Sequence, residues 1–233
     1  MRLICLNYLA VMLVIQKWTF NPFQENTYGI HNGEGDAVIV DPGMMHSHEC
    51  EKVAEWLEKK GEKSKAIWLT HGHIDHVLGG AFLFDRYQLI PRIHPEDLVT
   101  WKSSLLASQA YGIPYEEGPE PKTDLFEGQL LSIGSDKLEV LFLPGHAPGH
   151  VAFYSADSNW IVAGDVLFQQ SVGRTDLPGG SEEVLRESIE KMYARLPEET
   201  TVFAGHGGET TIGEEMRSNP FVNQQGSGLF QRK

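Results

Sequence analysis

The run Leu69-Thr70-His71-Gly72-His73-Ile74-Asp75-His76 follows a short apolar stretch, Ala66 to Leu69, that reads as a buried strand. It leads into a helical pattern running from His76 to Tyr87. Four potential metal-ligating side chains fall within this short run. His71 and His73 lie two apart in an extended turn, so both imidazoles can point the same way. Gly72 is expected to let the backbone turn sharply between them. Asp75 and His76 fall on the first helical turn and can face a second point close to the first. Imidazole and carboxylate ligands together suit zinc, iron or manganese.

Three further stretches repeat one pattern, an apolar strand, a glycine and a potential ligand. Leu143-Pro144-Gly145-His146-Ala147-Pro148-Gly149-His150 sets one or two histidines on a Gly/Pro turn. Ile161-Val162-Ala163-Gly164-Asp165 ends a strand in a carboxylate, and Val202-Phe203-Ala204-Gly205-His206-Gly207 ends one in an imidazole. Burying Asp165 unpaired is costly, so a cation beside it makes physical sense. A single strand-end histidine is more often a hydrogen-bonded structural residue than a ligand. The recurrence of the pattern argues for a metal centre. His31, His46, His48 and His94 have no such context and read as surface or supporting residues.

Around these motifs the chain reads as mixed α/β. Strands are expected at Val14 to Phe20, Thr27 to His31 and Ala37 to Val40, and a helix at Ser47 to Lys60, with Val53, Trp56 and Leu57 on one face. Another helix is expected at Glu96 to Tyr111, stopped by Gly112. Beyond Thr123 come short β runs at Leu130 to Ile133, Leu138 to Leu143, Val151 to Ser155 and Trp160 to Ala163. Ser181 caps a helix to Arg195 with Glu182 and Glu183 in its first turn, and Val202 to Ala204 is a last strand. Two facing sheets with helices outside fit this order, although periodicity alone does not choose that arrangement. The polar end, Asn223 to Lys233, is expected to fray.

The 233 residues carry a formal net charge of −13, with 41% hydrophobic and 22% charged residues, which fits a soluble globular protein. So negative a surface repels phosphate backbones, so nucleic acid is not expected as a partner, and neither is a membrane. Two cysteines, Cys5 and Cys50, are too few for a disulfide scaffold, and the cytoplasm is the expected compartment. Leu3 to Ile15 resembles a signal-peptide core behind Arg2. Asn7 interrupts it, no small-residue cleavage site follows, and it falls short of the ~20 residues that span a bilayer. A secretory leader in 1–15 is therefore the lesser reading. Met12 is a candidate start, with residues 1–11 an extension.

The ordered set His71-x-His73-x-Asp75-His76, His146, Asp165 and His206 resembles the metallo-β-lactamase superfamily. Asn21-Pro22-Phe23-x-Glu25-Asn26-x-Tyr28, Asp41-Pro42-Gly43 and Gly173-Arg174-Thr175-Asp176 are similar to its glyoxalase II-like branch. The resemblance covers residues 14–221 and implies a four-layer αββα sandwich with metals at one edge between the sheets. It implies that His71, His73 and His146 hold one divalent metal ion and Asp75, His76 and His206 a second, with Asp165 bridging both. Zinc comes first, with iron or manganese as alternatives. Asp75 and Asp165 are then the catalytic carboxylates. His150 is read as a supporting residue that ligates nothing. Asp41 is either a plain turn residue or the carboxylate that orients a ligand imidazole. Arg174 either meets a substrate carboxylate or supports the sheet edge.

The implied activity is hydrolysis of a small-molecule thioester such as S-D-lactoylglutathione, by attack of a hydroxide made available by the metal pair. A thiolate leaves without needing a proton, and the chain has no Gly-x-Ser-x-Gly nucleophile elbow. Residues 1–233 are expected to form one such domain, without the helical glutathione-binding domain of glyoxalase II. Glutathione specificity is therefore open, as is the oligomeric state. Pocket walls are expected from loops at Asp165 to Gly180 and Leu105 to Pro121. A mononuclear-iron persulfide dioxygenase shares the ligand pattern and is the alternative. Lactone hydrolysis and a non-catalytic binding module rank below it. A bridging carboxylate at Asp165 argues against β-lactamase activity.

Overall fold

A computed structural model describes residues 13–222. Of the apolar stretch Leu3 to Ile15, residues 3–12 lie outside the described residues, as do the Met12 start and the polar tail 223–233, while Val14 and Ile15 belong to the first strand. The first sheet takes the order β1-β2-β3-β4-β5-β6. Its strands are β1 (Val14–Phe20), β2 (Glu25–His31), β3 (Asp36–Val40), β4 (Ser64–Trp68), β5 (Arg92–Ile93) and β6 (Lys122–Thr123). β1 to β3 pair antiparallel, and β3 to β6 pair parallel. The parallel steps require crossovers, supplied by α1 (Ser47–Lys60), α2 (Gly80–Tyr87) and α3 (Leu98–Tyr111). The second sheet contains β7 (Leu130–Ile133), β8 (Asp136–Phe142), β9 (Val151–Ser155), β10 (Trp160–Gly164), β13 (Thr201–Ala204) and β14 (Thr210–Thr211). Its order is β14-β13-β10-β9-β8-β7, and α4 (Glu182–Arg195) makes the parallel β10–β13 crossover. A hairpin of β11 (Leu167–Phe168) and β12 (Ser171–Val172), and a final α5 (Ile212–Ser218), complete the described residues.

Strand alternation sorts the core into three layers. Val38 and Val40 of β3 and Trp160 and Val162 of β10 face one another between the sheets, with Phe153 of β9 tilted against Trp68 of β4 at 5.4 Å. Their neighbours Ala37 and Ile39 turn outward onto Val53 and Leu57 of α1, Leu83 of α2 and Trp101 of α3. On the other side, Ile161 and Ala163 meet Leu185, Ile189 and Met192 of α4. Helix, sheet, sheet, helix is the αββα sandwich. Phe153 is fully buried. Phe153→Ala is expected to cost about 3–5 kcal/mol and to lower the thermal midpoint by on the order of 10 °C, read by thermal unfolding.

Two helix starts differ from the sequence reading. The expected helix from His76 begins only at Gly80. Residues Ile74–His76 form one 3-10 turn, and Gly79 donates its N–H to the Pro42 carbonyl at 2.7 Å, outside any helix ladder. A Cβ at Gly79 would meet Met44 at 2.6 Å, so the chain is pressed there against the 42–44 turn. Similarly, α3 starts at Leu98, after a 3-10 turn over Pro95–Asp97. Strands of two residues (β5, β6, β11, β12, β14) and the short α5 carry too little periodicity to be read.

Candidate metal centre

The potential ligands all lie just beyond the carboxyl ends of strands: Asp41 after β3, the 71–76 run after β4, His146 after β8, Asp165 after β10 and His206 after β13. Both sheets therefore deliver side chains to the same edge. There the donor atoms of His71, His73 and His146 lie within 4.8 Å of one another, and so do those of Asp75, His76 and His206. Asp165 sits between the two groups. Its Oδ1 is 3.5 Å from His76 Nε2, and its Oδ2 is 3.5 Å from both His146 Nε2 and His206 Nε2. All seven residues that the sequence singles out as ligands converge.

Hydrogen bonds to the far side of four of the five rings, all but His73, fix which nitrogen faces inward. His206 Nδ1–H donates to the Phe23 carbonyl at 3.1 Å, and His146 Nδ1–H to the Arg174 carbonyl at 2.8 Å. His76 Nδ1–H donates to Asp41 Oδ2 at 3.1 Å. The Thr70 hydroxyl gives its one proton to Asp41 Oδ2 at 2.6 Å, so at 2.9 Å it accepts from His71 Nδ1–H. Each of the four is left with Nε2 turned into the site. His71 Nε2, His76 Nε2 and Asp165 Oδ1 are buried with no hydrogen-bond partner, and His73 Nδ1 faces His146 Nε2 at 2.8 Å. Orphaned buried lone pairs of this kind are costly unless a cation takes them. The donor set thus fits divalent metal ions, and backing of each imidazole by an oxygen acceptor is the usual arrangement around ligating histidines.

The electrostatics agree. Burial pushes the His71 and His150 imidazoles well below the usual histidine range, with His76 adding to the first and His146 to the second. Burial and His146 push His73 down to about 3. These rings are held neutral, the state in which His71 and His73 can ligate. Burial also opposes charge on His76 and His206, but carboxylates outweigh it. Asp75, Asp165 and Asp41 raise His76 to about 9, and Asp165 and Asp75 raise His206 to about 11. Burial likewise opposes the Asp165 carboxylate, yet His76, His206 and His146 hold it well below the usual carboxylate range. Asp75 and Asp165 demand positive charge beside them.

Asp41 combines a tight turn with hydrogen bonds to a candidate ligand imidazole and to Thr70. It sits at φ 52°, a left-handed conformation that Asp tolerates, and its Oδ1 accepts the Thr70 N–H at 2.7 Å. Through Thr70 and His76 it touches both ligand groups. His150 supports Asp165: its Nε2 accepts the Asp165 backbone N–H at 3.0 Å, and its ring stacks on His71 at 4.9 Å. The Arg174 guanidinium is exposed and paired at two points with Asp176, at 2.7 and 2.8 Å. Its carbonyl, which the sequence reading did not consider, orients His146.

Sequence reasoning missed Asp97. This fully buried carboxylate accepts N–H groups from Gly72, between His71 and His73, and from Gly149, between His146 and His150, and also the Thr100 hydroxyl. It ties both histidine turns to the start of α3. Gly72 is needed for that close approach, because a Cβ there would overlap the Trp101 backbone. The expected sharp turn is not its reason, since its φ is not in the left-handed region. Asp97→Asn would set an amide donor against one of these N–H groups. It is expected to weaken zinc binding about 10- to 100-fold, measured by competition with a chelating dye.

The Asn21-to-Tyr28 motif has its own physical account. Tyr28 Oη donates to the Ala204 carbonyl at 2.6 Å, and Asn26 Nδ2 to the carbonyls of Ala204 and Gly207 at 3.0 Å, clasping β13 beside His206. Asn21 Nδ2 holds the Asp75 carbonyl at 3.0 Å. Glu25, fully buried, lies 3.9 Å from His76 Nδ1, and burial with Asp41 and Asp75 pushes its carboxyl well above the usual range.

A cleft of about 720 Å³ opens over His73, Asp75, Asp165 and His206. The 168–178 segment lines it, as expected, and so do Leu106, Ala107, Ala110 and Tyr111 of the expected 105–121 wall, joined by Thr100, Ser103 and Ser104 earlier in α3. Phe23 closes on Tyr111 edge to face at 5.2 Å. Residues 114–116, expected as wall, line a separate groove with Met44 and Phe82. Among the described residues, no helix is long and apolar enough to cross a membrane.

With this fold and this donor set on one sheet edge, the profile of the metallo-beta-lactamase superfamily matches residues 20–206, and the chain belongs to that superfamily as a metallo-hydrolase. It is 37% identical over 205 residues to hydroxyacylglutathione hydrolase GloC of Haemophilus influenzae, covering 87% of this chain and 95% of that one. Among solved structures, it is similar to TTHA1623 in a di-iron-bound form, with 39% identity and a TM-score of 0.79 over 89% of this chain and all of the other. It is likewise similar to BLEG-1 B3 metallo-beta-lactamase, with 36% identity and a TM-score of 0.77 over 89% of this chain and 98% of that one.

Proposed function

We propose that the chain is a thioester hydrolase of the glyoxalase II-like kind, with two divalent metal ions. His71, His73 and His146 would hold one ion, Asp75, His76 and His206 the other, and Asp165 would serve both. When bound, such ions supply a water acidified toward neutral pH and a Lewis acid for the carbonyl oxygen. The chain's own part is orientation. Phe23, Arg174, Thr70 and Asp41 hold four imidazoles with Nε2 inward, and this observation carries the reading. A thioester asks least of the remaining cleft residues, because a thiolate departs unprotonated at neutral pH. The GloC likeness, over nearly the whole of that relative, supports the same substrate class. Zinc is the first candidate metal, and the di-iron form of TTHA1623 keeps iron beside it.

Purified protein loaded with zinc, iron or manganese, and assayed for metal content on the same sample, tests the reading. S-D-lactoylglutathione, glutathione persulfide with oxygen uptake, an acyl-homoserine lactone and a β-lactam form the panel. Thioester turnover exceeding the others by at least tenfold is expected. One iron per chain with persulfide-dependent oxygen consumption, or turnover of the β-lactam alone, would overturn it.

A further inference from the structure

α3 is apolar on more than its inward side. Trp101, Ser104 and Ser108 are buried, while Leu106 stays 69% and Tyr111 50% exposed. A lone exposed leucine needs no explanation, but Leu106 is not alone. Together with Ala107, Ala110 and Tyr111 it lines the cleft over the candidate metal centre, and Leu177 and Pro178 line the same cleft. The apolar surface is therefore continuous with the atoms that would do the chemistry, which is where a substrate must lie.

Charge points the same way. Arg174 is the one Lys or Arg among the residues lining this cleft, and it is already paired with Asp176. An exposed pair of this kind opens at little cost, so, apart from the metal centre and its histidines, the described lining offers a substrate at most one cationic side chain. Glutathione brings two carboxylates, in a chain whose net charge is −13.

We infer that the substrate is a thioester bearing an apolar group, on its acyl or its thiol side, that packs along Leu106, Ala107, Ala110 and Tyr111 against the 177–178 segment. This rests on the thioester hydrolase reading and adds the substrate class. Each methylene that leaves water on this surface raises kcat/KM by up to about fourfold.

The test uses metal-loaded protein and two series: acetyl to octanoyl thioesters of N-acetylcysteamine, and acetyl thioesters of ethanethiol to hexanethiol. In at least one series kcat/KM is expected to climb tenfold or more and to surpass that for S-D-lactoylglutathione. Leu106→Asp is expected to flatten that series. Val99→Asp, 66% exposed on the same helix but outside the cleft, is expected to leave it steep. Two flat series with turnover intact, or a tenfold preference for S-D-lactoylglutathione over the longest members, would overturn the inference while sparing the hydrolase reading. Absence of turnover on every thioester would remove both.

Discussion

Exchanging Asp165 for asparagine is expected to lower kcat/KM on the best thioester by about a thousandfold or more, roughly 4 kcal/mol of transition-state stabilisation. The carboxylate stands 3.5 Å from the inward nitrogens of His76, His146 and His206, and it is the one residue placed between both ligand groups. Asparagine keeps the shape but removes the anion. Two like-charged ions would then lie close together without the negative charge that offsets their repulsion, and His76 and His206 would lose a principal counter-charge. The measurement is kinetics beside elemental analysis, with thermal unfolding to show that the variant folds. Bound metal should fall toward one equivalent or less. Full metal content with activity within tenfold of the parent would contradict the role given to Asp165.

The second large effect is expected at a residue that touches no proposed ion. Asp41→Asn leaves the turn intact, because asparagine also tolerates a φ near 52°, and its carbonyl oxygen can still take the Thr70 N–H. Its amide nitrogen would then confront the Thr70 hydroxyl and His76 Nδ1, where Oδ2 now accepts from both. Faced with a donor, His76 is stabilised as the tautomer with its proton on Nε2, and that tautomer has no inward lone pair. Thr70, freed to accept from the amide, can turn its own proton toward His71 Nδ1 and reverse that ring too. A comparable asparagine exchange at the orienting carboxylate of a catalytic histidine acts through the wrong tautomer. Metal affinity is expected to fall at least about 100-fold, with nitrogen NMR of labelled histidines reporting the tautomer change. Unaltered affinity together with unaltered tautomers would show that Asp41 is only a turn residue.

The candidate ligands were legible because His146, Asp165 and His206 each follow an apolar strand and a glycine and the 71–76 run follows another strand; which of them share an ion was implied only by the family resemblance. Neither the pairing of Asp165 with three imidazoles nor the sorting of rings by their Nδ1 partners could be read this way. Those partners are backbone carbonyls (Phe23, Arg174), the adjacent Thr70 hydroxyl and a carboxylate 35 residues away (Asp41), and a carbonyl leaves no mark in a sequence. Asp97 was invisible for a related reason: it looks like an ordinary acidic residue at a helix start. Its partners are two glycine N–H groups at Gly72 and Gly149. Helix boundaries failed at His76 because tertiary contact between Gly79 and Pro42 overrides an apolar period that continues through it. The wall of the cleft was legible in part: Leu106 to Tyr111 lie within the expected 105–121 stretch, whereas Thr100, Ser103 and Ser104 line it because α3 lies along the cleft from its first turn.

The central claim, that two cations belong at the shared sheet edge, is most directly tested by anomalous diffraction from crystals grown after incubation with zinc, iron or manganese salts. Two peaks are predicted, one among His71, His73 and His146 and one among Asp75, His76 and His206, both beside Asp165. A saturated crystal with no anomalous density at that edge, or with metal bound elsewhere on the chain alone, would contradict the account.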